Sequence, residues 1–243
     1  AISGMSAALR HRIDSVEQFA ADVAHEIKNP LASLRSALES LDRVDDAELR
    51  RQLNAIAAHD VQRIDRLVTE IADASRIDAQ LSRTIFEPVD TVRLIKGIVA
   101  ERDRREVNRD CPITVTRCGS DDMVVPGDAP RLERVIENLL DNAVSFSPPG
   151  AAIAVELARE DDRVAISISD KGPGIPLEAR EKVFERFHSV RPAGEDFGSH
   201  SGLGLAIART IVEAHYGNLS AETRADGEAG ARLLIELPAW DSR

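Results

Sequence analysis

Among six histidines in 243 residues, His25 alone stands in chemically useful company. It lies in the string Phe19-Ala20-Ala21-Asp22-Val23-Ala24-His25-Glu26-Ile27-Lys28-Asn29-Pro30-Leu31. With Ala20 and Ile27 at heptad position a and Val23 at d, His25 falls at f, the most exposed position. An exposed, uncharged imidazole is a capable nucleophile near neutral pH. Glu26 beside it is able to keep the far ring nitrogen protonated, leaving the near one free to attack. Asn29 lies one turn further on the same side. Pro30 lacks an N–H and would kink the helix just below. His11 and His59 have no such neighbours and read as ordinary surface histidines.

Four further strings carry polar chemistry. In Arg134-Val135-Ile136-Glu137-Asn138-Leu139-Leu140-Asp141-Asn142-Ala143, Asn138 and Asn142 are four residues apart, hence on one helix face. Their carboxamide oxygens suit a Mg²⁺ ion that keeps most of its waters and bridges phosphates, although two solvated asparagines would look the same. In Asp170-Lys171-Gly172-Pro173-Gly174-Ile175, Gly172 and Gly174 allow close backbone approach, and Asp170 can accept a hydrogen bond from an amino group. A plain Gly-Pro turn is the alternative there. Val183-Phe184-Glu185-Arg186-Phe187 offers Phe184 and Phe187 as hydrophobic anchors, or simply as core. The last string runs through Gly202, Leu203 and Gly204 into a helix, whose first N–H groups suit phosphate oxygens. Residues 188–201, polar and containing Gly194 and Gly198, read as a mobile lid between the last two strings.

These strings need elements to hold them. Apolar residues at Leu9, Ile13, Val16, Ala20, Val23, Ile27, Leu31, Leu34, Leu38 and Leu41 step by four and three, with one stutter at Pro30. Arg43-Val44-Asp45-Asp46 reads as a turn, and Asp45 with Glu48 matches a capping box. A second helix follows with its seam at Leu49, Leu53, Ala57, Val61, Ile64, Val68 and Ile71. One such hairpin leaves an apolar stripe uncovered, which predicts two chains pairing into a four-helix bundle. Near Phe86 the pattern changes. Helices are expected over 92–101, from about Pro130 with Asp128 as cap, and over 203–214. Strands are expected at 113–116, 123–125, 153–157, 164–168 and 233–237. The expectation is an α+β chain: a dimerising helical hairpin over 1–84, then an α/β sandwich with one mixed sheet over 85–243.

Composition narrows the function. A net charge of −11 without a long basic run disfavours a nucleic-acid partner. Cys111 and Cys118 form neither a disulfide framework nor a metal spacing. No apolar run approaches the roughly 20 residues of a membrane helix. The first residues, Ala1-Ile2-Ser3-Gly4-Met5, enter a helical pattern directly, so the chain reads as a piece of a longer protein.

The order of these strings from Phe19 to Gly217 resembles the H, N, G1, F and G2 boxes of bacterial two-component sensor histidine kinases. Pro30-Leu31 and Ser145-Phe146-Ser147 are similar to the envelope-stress sensors of alphaproteobacteria within that family. The resemblance implies ATP and Mg²⁺ as cofactors, His25 as phosphoacceptor, Glu26 as its polarising base and Asn29 as the residue that orients water for a phosphatase activity. It implies Asn142 as the metal ligand and Asn138 as the residue ordering phosphate and metal water. Asp170 would read the adenine amine, with Gly172, Gly174, Phe184, Phe187, Gly202, Leu203 and Gly204 lining the nucleotide. Implied partners are a second copy and the receiver domain of a response regulator, with an upstream membrane sensor in the bacterial inner membrane and this portion in the cytoplasm. The catalytic part would swing on a linker near 82–89 to reach His25.

Two positions depart from the pattern: Ser145 and Ser189 stand where relatives carry cations, leaving Arg191 as the candidate phosphate-binding cation. Rival readings are another ATPase of the same superfamily, which would use a Glu at Asn138, and a catalytically inert scaffold. The first gives the His25 helix no purpose. The second is disfavoured by intact Asn142, Asp170, Gly172 and Gly202.

Overall fold

The computed structural model describes residues 2–41, 43–80, 86–108, 110–119, 122–188, 202–224 and 226–240. They form two compact units, one on the helices up to Arg76, the other over Ile77–His188 and Gly204–Arg243.

The first unit is a helical hairpin of α1 (Ile2–Leu41) and α2 (Ala47–Gln80). Pro30 lies inside α1 without ending it. The turn is held by side chains that take up orphan end groups. Arg50 Nη1 donates to the carbonyls of Leu41 at 2.9 Å and Val44 at 3.1 Å. The α2 cap corrects the capping-box expectation: Asp46, not Asp45, accepts from the N–H groups of Glu48 (2.8 Å) and Leu49 (3.1 Å). The helix starts at Ala47, so Glu48 is its second residue rather than the third that a box requires. Ala37 and Leu67 are buried within the one hairpin, whereas Leu31, Leu38, Leu49, Val61 and Val68 remain roughly half exposed.

The second unit begins with β1 (Glu87–Asp90) and α3 (Thr91–Arg104), followed by β2 (Ile113–Cys118) and β3 (Val124–Gly127). Then come α4 (Ala129–Phe146), β4 (Ile153–Glu160) and β5 (Arg163–Ser169). 3₁₀ turns at Leu177–Ala179 and Lys182–Phe184 come before α5 (Gly204–Ala214), followed by β6 (Asn218–Glu222) and β7 (Arg232–Pro238). The main sheet has the order β2-β4-β5-β7-β6, with β2 parallel to β4 and the other pairs antiparallel. β1 and β3 form a separate antiparallel ribbon, which a single-sheet expectation lacks. Pro88 and Pro126 face each other in that ribbon, where few ladder bonds are needed.

Inward residues of β4, β5 and β7 alternate as a one-sided sheet demands: Ile153, Val155 and Leu157, then Val164, Ile166 and Ile168, then Leu233, Ile235 and Leu237. α4 contributes Leu132, Val135, Ile136, Leu139, Leu140 and Ala143 as one apolar stripe. Asp90 and Asp128 cap α3 and α4 by accepting from the N–H groups of Arg93 (3.0 Å) and Arg131 (3.2 Å).

Candidate active site

His25 is exposed on α1, as is Asn29, while Pro30 of the same helix is buried. Glu26 points elsewhere: adjacent helix residues diverge by about 100°. Its carboxylate accepts from Arg63 Nη2 of α2 at 3.1 Å, and both side chains are largely covered. The hairpin thus presents the imidazole to solvent and holds the neighbouring acid between its helices.

In the second unit, α4 carries two polar pairs on either side of its stripe. Asn138 and Asn142 are half-buried along one edge. Asn138 Nδ2 donates to Gly204 O at 3.0 Å, which ties α4 to the first residue of α5. Glu137 and Asp141, a further 100° or so around the helix, both accept from Arg102 Nη1, with Asp141 at 2.8 Å. Arg102 is buried and also donates through Nε to Asn108 Oδ1 at 3.0 Å. The acids beside the asparagines are therefore committed to holding α3 against α4.

Asp170 follows β5 and is 3% exposed. Its N–H donates to Ala231 O at 3.0 Å, and its carbonyl accepts from Arg224 Nη1 at 2.6 Å. Oδ1 accepts from the N–H groups of Gly172 at 2.8 Å and Ala231 at 3.0 Å. Burial pushes the carboxyl above its ordinary value, while those two N–H groups and the Arg224 charge pull it back. Gly172 is required by packing: a Cβ would stand 2.6 Å from Phe146 O, at the end of α4. Gly174 has φ +81°, and its Cβ would meet Gly230 O at 2.9 Å.

Phe184 is buried under Arg209 of α5, whose guanidinium carbon lies 5.1 Å from the ring centroid. Arg209 also pairs with Glu181 (2.9 Å) and Glu213 (3.1 Å), so the segment carrying Glu181 is fastened to α5. Phe187 is half-buried with φ +60°. Gly202 has φ +72°, Leu203 is buried, and α5 starts at Gly204. Arg191, Ser189, Gly194 and Gly198 lie outside the described residues.

Sequence reasoning missed two residues. His215 is completely buried at the end of α5. Its Nε2 accepts the Asp128 N–H at 3.1 Å, so the proton sits on Nδ1 and is donated to Ile211 O at 2.7 Å. Phe86 stacks on it, with centroids 4.6 Å apart. Burial holds this imidazole below its ordinary value, and the Ile211 bond only partly offsets that. The other missed residue is Arg224. Both act through partners remote in sequence, so no local pattern marks them.

A hairpin with an exposed histidine, joined to a sheet unit with an asparagine-bearing helix and a buried aspartate, has matches among known families. Residues 15–80 match the His Kinase A (phospho-acceptor) domain, and residues 127–241 match the histidine kinase-, DNA gyrase B- and HSP90-like ATPase family. The chain belongs to the histidine kinase family. It is 44% identical to Sensor protein ChvG of Agrobacterium fabrum over 251 residues, covering 100% of this chain and 42% of that protein. The match to Sensor protein ChvG of Rhizobium meliloti is 43% identical, over 98% of this chain and 43% of the relative. The chain therefore spans less than half the length of these relatives. Among solved structures, a mycobacterial sensor histidine kinase MprB aligns with TM-score 0.54 and 38% identity, over 63% of this chain and 97% of that one. ThkA in complex with the response regulator protein TrrA shares the fold, with TM-score 0.72 at 24% identity over 95% of this chain and 64% of that one.

Proposed function

We propose that this chain is the phosphoacceptor and ATP-binding portion of a sensor histidine kinase, which phosphorylates His25 and passes the phosphoryl group to an aspartate of a response regulator. The carrying observation is that one chain holds both an exposed His25 on a helical hairpin and a buried Asp170 whose hydrogen bonds leave Oδ2 for a ligand. Each half of that pair is of little use without the other.

The site fits the group it would bind. A carboxylate oxygen in a dry wall suits a base amine, and neutral carboxamide oxygens suit a hydrated Mg²⁺ rather than a tightly caged metal. The metal, held by Asn142, would neutralise phosphate charge, with Asn138 orienting phosphate and metal water. Asp170 binds and orients the base, and Gly202, Leu203 and Gly204 bring backbone N–H groups to the phosphates. His25 Nε2 attacks the γ-phosphorus in line: an N–P bond forms, the bond to the ADP oxygen breaks, and ADP leaves. Glu26 takes up the ring proton once its pair with Arg63 opens. Asn29 orients water for removing phosphate from the regulator, a second activity of the same face.

The half-exposed Leu31, Leu38, Val61 and Val68 support a homodimer with a four-helix bundle. Division at 1–84 and 85–243 assigns phosphotransfer to the first part and catalysis to the second. Among the described residues no helix is long and apolar enough to cross a membrane. We place this portion on the cytoplasmic side of a membrane-anchored protein. Arg191 remains the proposed phosphate cation. Incubation with ATP labelled in the γ-phosphate separates the readings. Labelled protein supports kinase chemistry, free phosphate alone an ATPase, and neither a scaffold.

A further inference from the structure

The β6–β7 connection holds an arrangement that none of these roles uses. The Arg224 side chain is 11% exposed. Its Nε donates to Asp226 Oδ1 at 2.9 Å, and its Nη2 pairs with Oδ2 of the same carboxylate. Two parallel bonds to one carboxylate fix the guanidinium plane. Asp226 is itself held by the Glu228 N–H at 3.2 Å, and the Arg224 partner lowers its carboxyl to about 2. The pair therefore survives throughout the pH range in which a kinase is assayed. Thus oriented, Arg224 Nη1 reaches the Asp170 carbonyl at 2.6 Å.

Gly230 makes room for this. At φ +135° its imagined Cβ would stand 2.1 Å from Asp170 O and 2.8 Å from Arg224 Cδ. Ala231 then exchanges an N–H and a carbonyl with the aspartate. Backbone N–H, carbonyl and Oδ1 of Asp170 all have partners, and most of those come from the β6–β7 connection. Only Oδ2 has none among the described contacts.

We propose that Arg224 is a positioning residue for the nucleotide base, holding the Asp170 backbone so that Oδ2 meets the exocyclic amine of adenine. This rests on the reading of Asp170 as the base-binding residue. A carboxylate accepts hydrogen bonds only, so an oxygen fixed opposite the purine 6-substituent favours an amino group there and repels an oxo group. Misplacement by an ångström removes that discrimination. The guanidinium also helps keep the buried carboxylate ionised. Without that charge the carboxyl rises further, and base binding is lost at a higher pH as the solution is acidified.

Equilibrium binding of ADP and inosine diphosphate to the full 243-residue chain tests this, in wild type, R224Q, R224K and D170N. R224Q is expected to weaken ADP about tenfold and inosine diphosphate less than about twofold. Its ADP binding should also fail at higher pH than in wild type. R224K should restore the pH profile more than the discrimination, because an ammonium keeps the charge but not the fork. Equal losses of both nucleotides leave the discrimination unchanged and would make Arg224 a mere brace, which overturns the proposal. Should R224Q not fold, D226N, which releases the same guanidinium from an exposed partner, decides by the same ratio. D170N separates the two levels. Wild-type ADP binding in D170N would sink the base reading itself. Lost discrimination in D170N with full discrimination in R224Q would sink only the role of Arg224.

Discussion

The hairpin and the sheet unit solve opposite problems. In the hairpin, His25 and Asn29 are exposed and lean on little beyond the helix that carries them. In the sheet unit, Asp170 and Asn138 are wired to backbone atoms of two other segments, and even the glycines are there for packing. A nucleophile must be reachable. A base pocket must be aimed. The first needs only a regular surface, and the second needs loops held from several sides. Function and stability should therefore separate cleanly in the hairpin and be entangled in the sheet unit.

The sharpest break between the two is His25→Ala. Complete loss of phosphorylation is expected, with ADP affinity and the thermal midpoint unchanged, read by labelling, calorimetric titration and circular dichroism. A fallen midpoint would show that the exposed imidazole has a structural role and blur the contrast.

Next in size is Leu139→Ala in α4, where the side chain is fully buried. Large-to-small core changes cost about 2–5 kcal/mol, and nucleotide binding should fail with the fold. Val68→Ala, at a 52%-exposed position of α2, should barely change folding of the hairpin but weaken self-association. Denaturant unfolding and sedimentation equilibrium read both. Equal destabilisation by the two would contradict the one-sided packing described above.

His215 gives a smaller, pH-dependent effect. Its folded pKa lies below the ordinary 6.5, so the neutral form is the one the fold accepts. The stability it confers is full above the ordinary value and is lost as pH falls through the folded value. Thermal midpoints of wild type should therefore drop on acidification below about 6.5 more steeply than those of His215→Gln. The groups facing the ring, Asp128 and Arg131, pull in opposite directions. Parallel pH curves would remove His215 as the cause.

These contrasts also explain what could be read before any coordinates. Period alone reveals α1 and α2, because the apolar steps of four and three persist over about six turns or more in each. It does not tell Ala37 and Leu67, which one hairpin buries, from Leu38 and Val68, which it leaves open. α4 is legible from Asp128, Pro130 and its stripe, all local signals. β6 is not: Asn218-Leu219-Ser220-Ala221-Glu222 is an edge strand with two buried residues, made extended by pairing with β7. Asp170 and both asparagines stand in recognisable strings, whereas Arg224 and His215 matter through contacts 54 and 87 residues away.

The smallest predicted effect lies at the hairpin turn. Asp46→Ala should cost about 1 kcal/mol by removing the cap of α2, and Asp45→Ala close to nothing. Equal effects would return the cap to Asp45.

The central claim, that the sheet unit supplies a phosphoryl group to the hairpin's His25, has one most direct measurement. The chain is incubated with Mg-ATP, digested at alkaline pH, and the adduct located by mass spectrometry, with a parallel sample acidified first. A single phosphate on the peptide containing His25, stable to base and gone after acid, is the predicted result. An acid-stable phosphate on a serine or threonine, or ADP formation with no adduct, would contradict it.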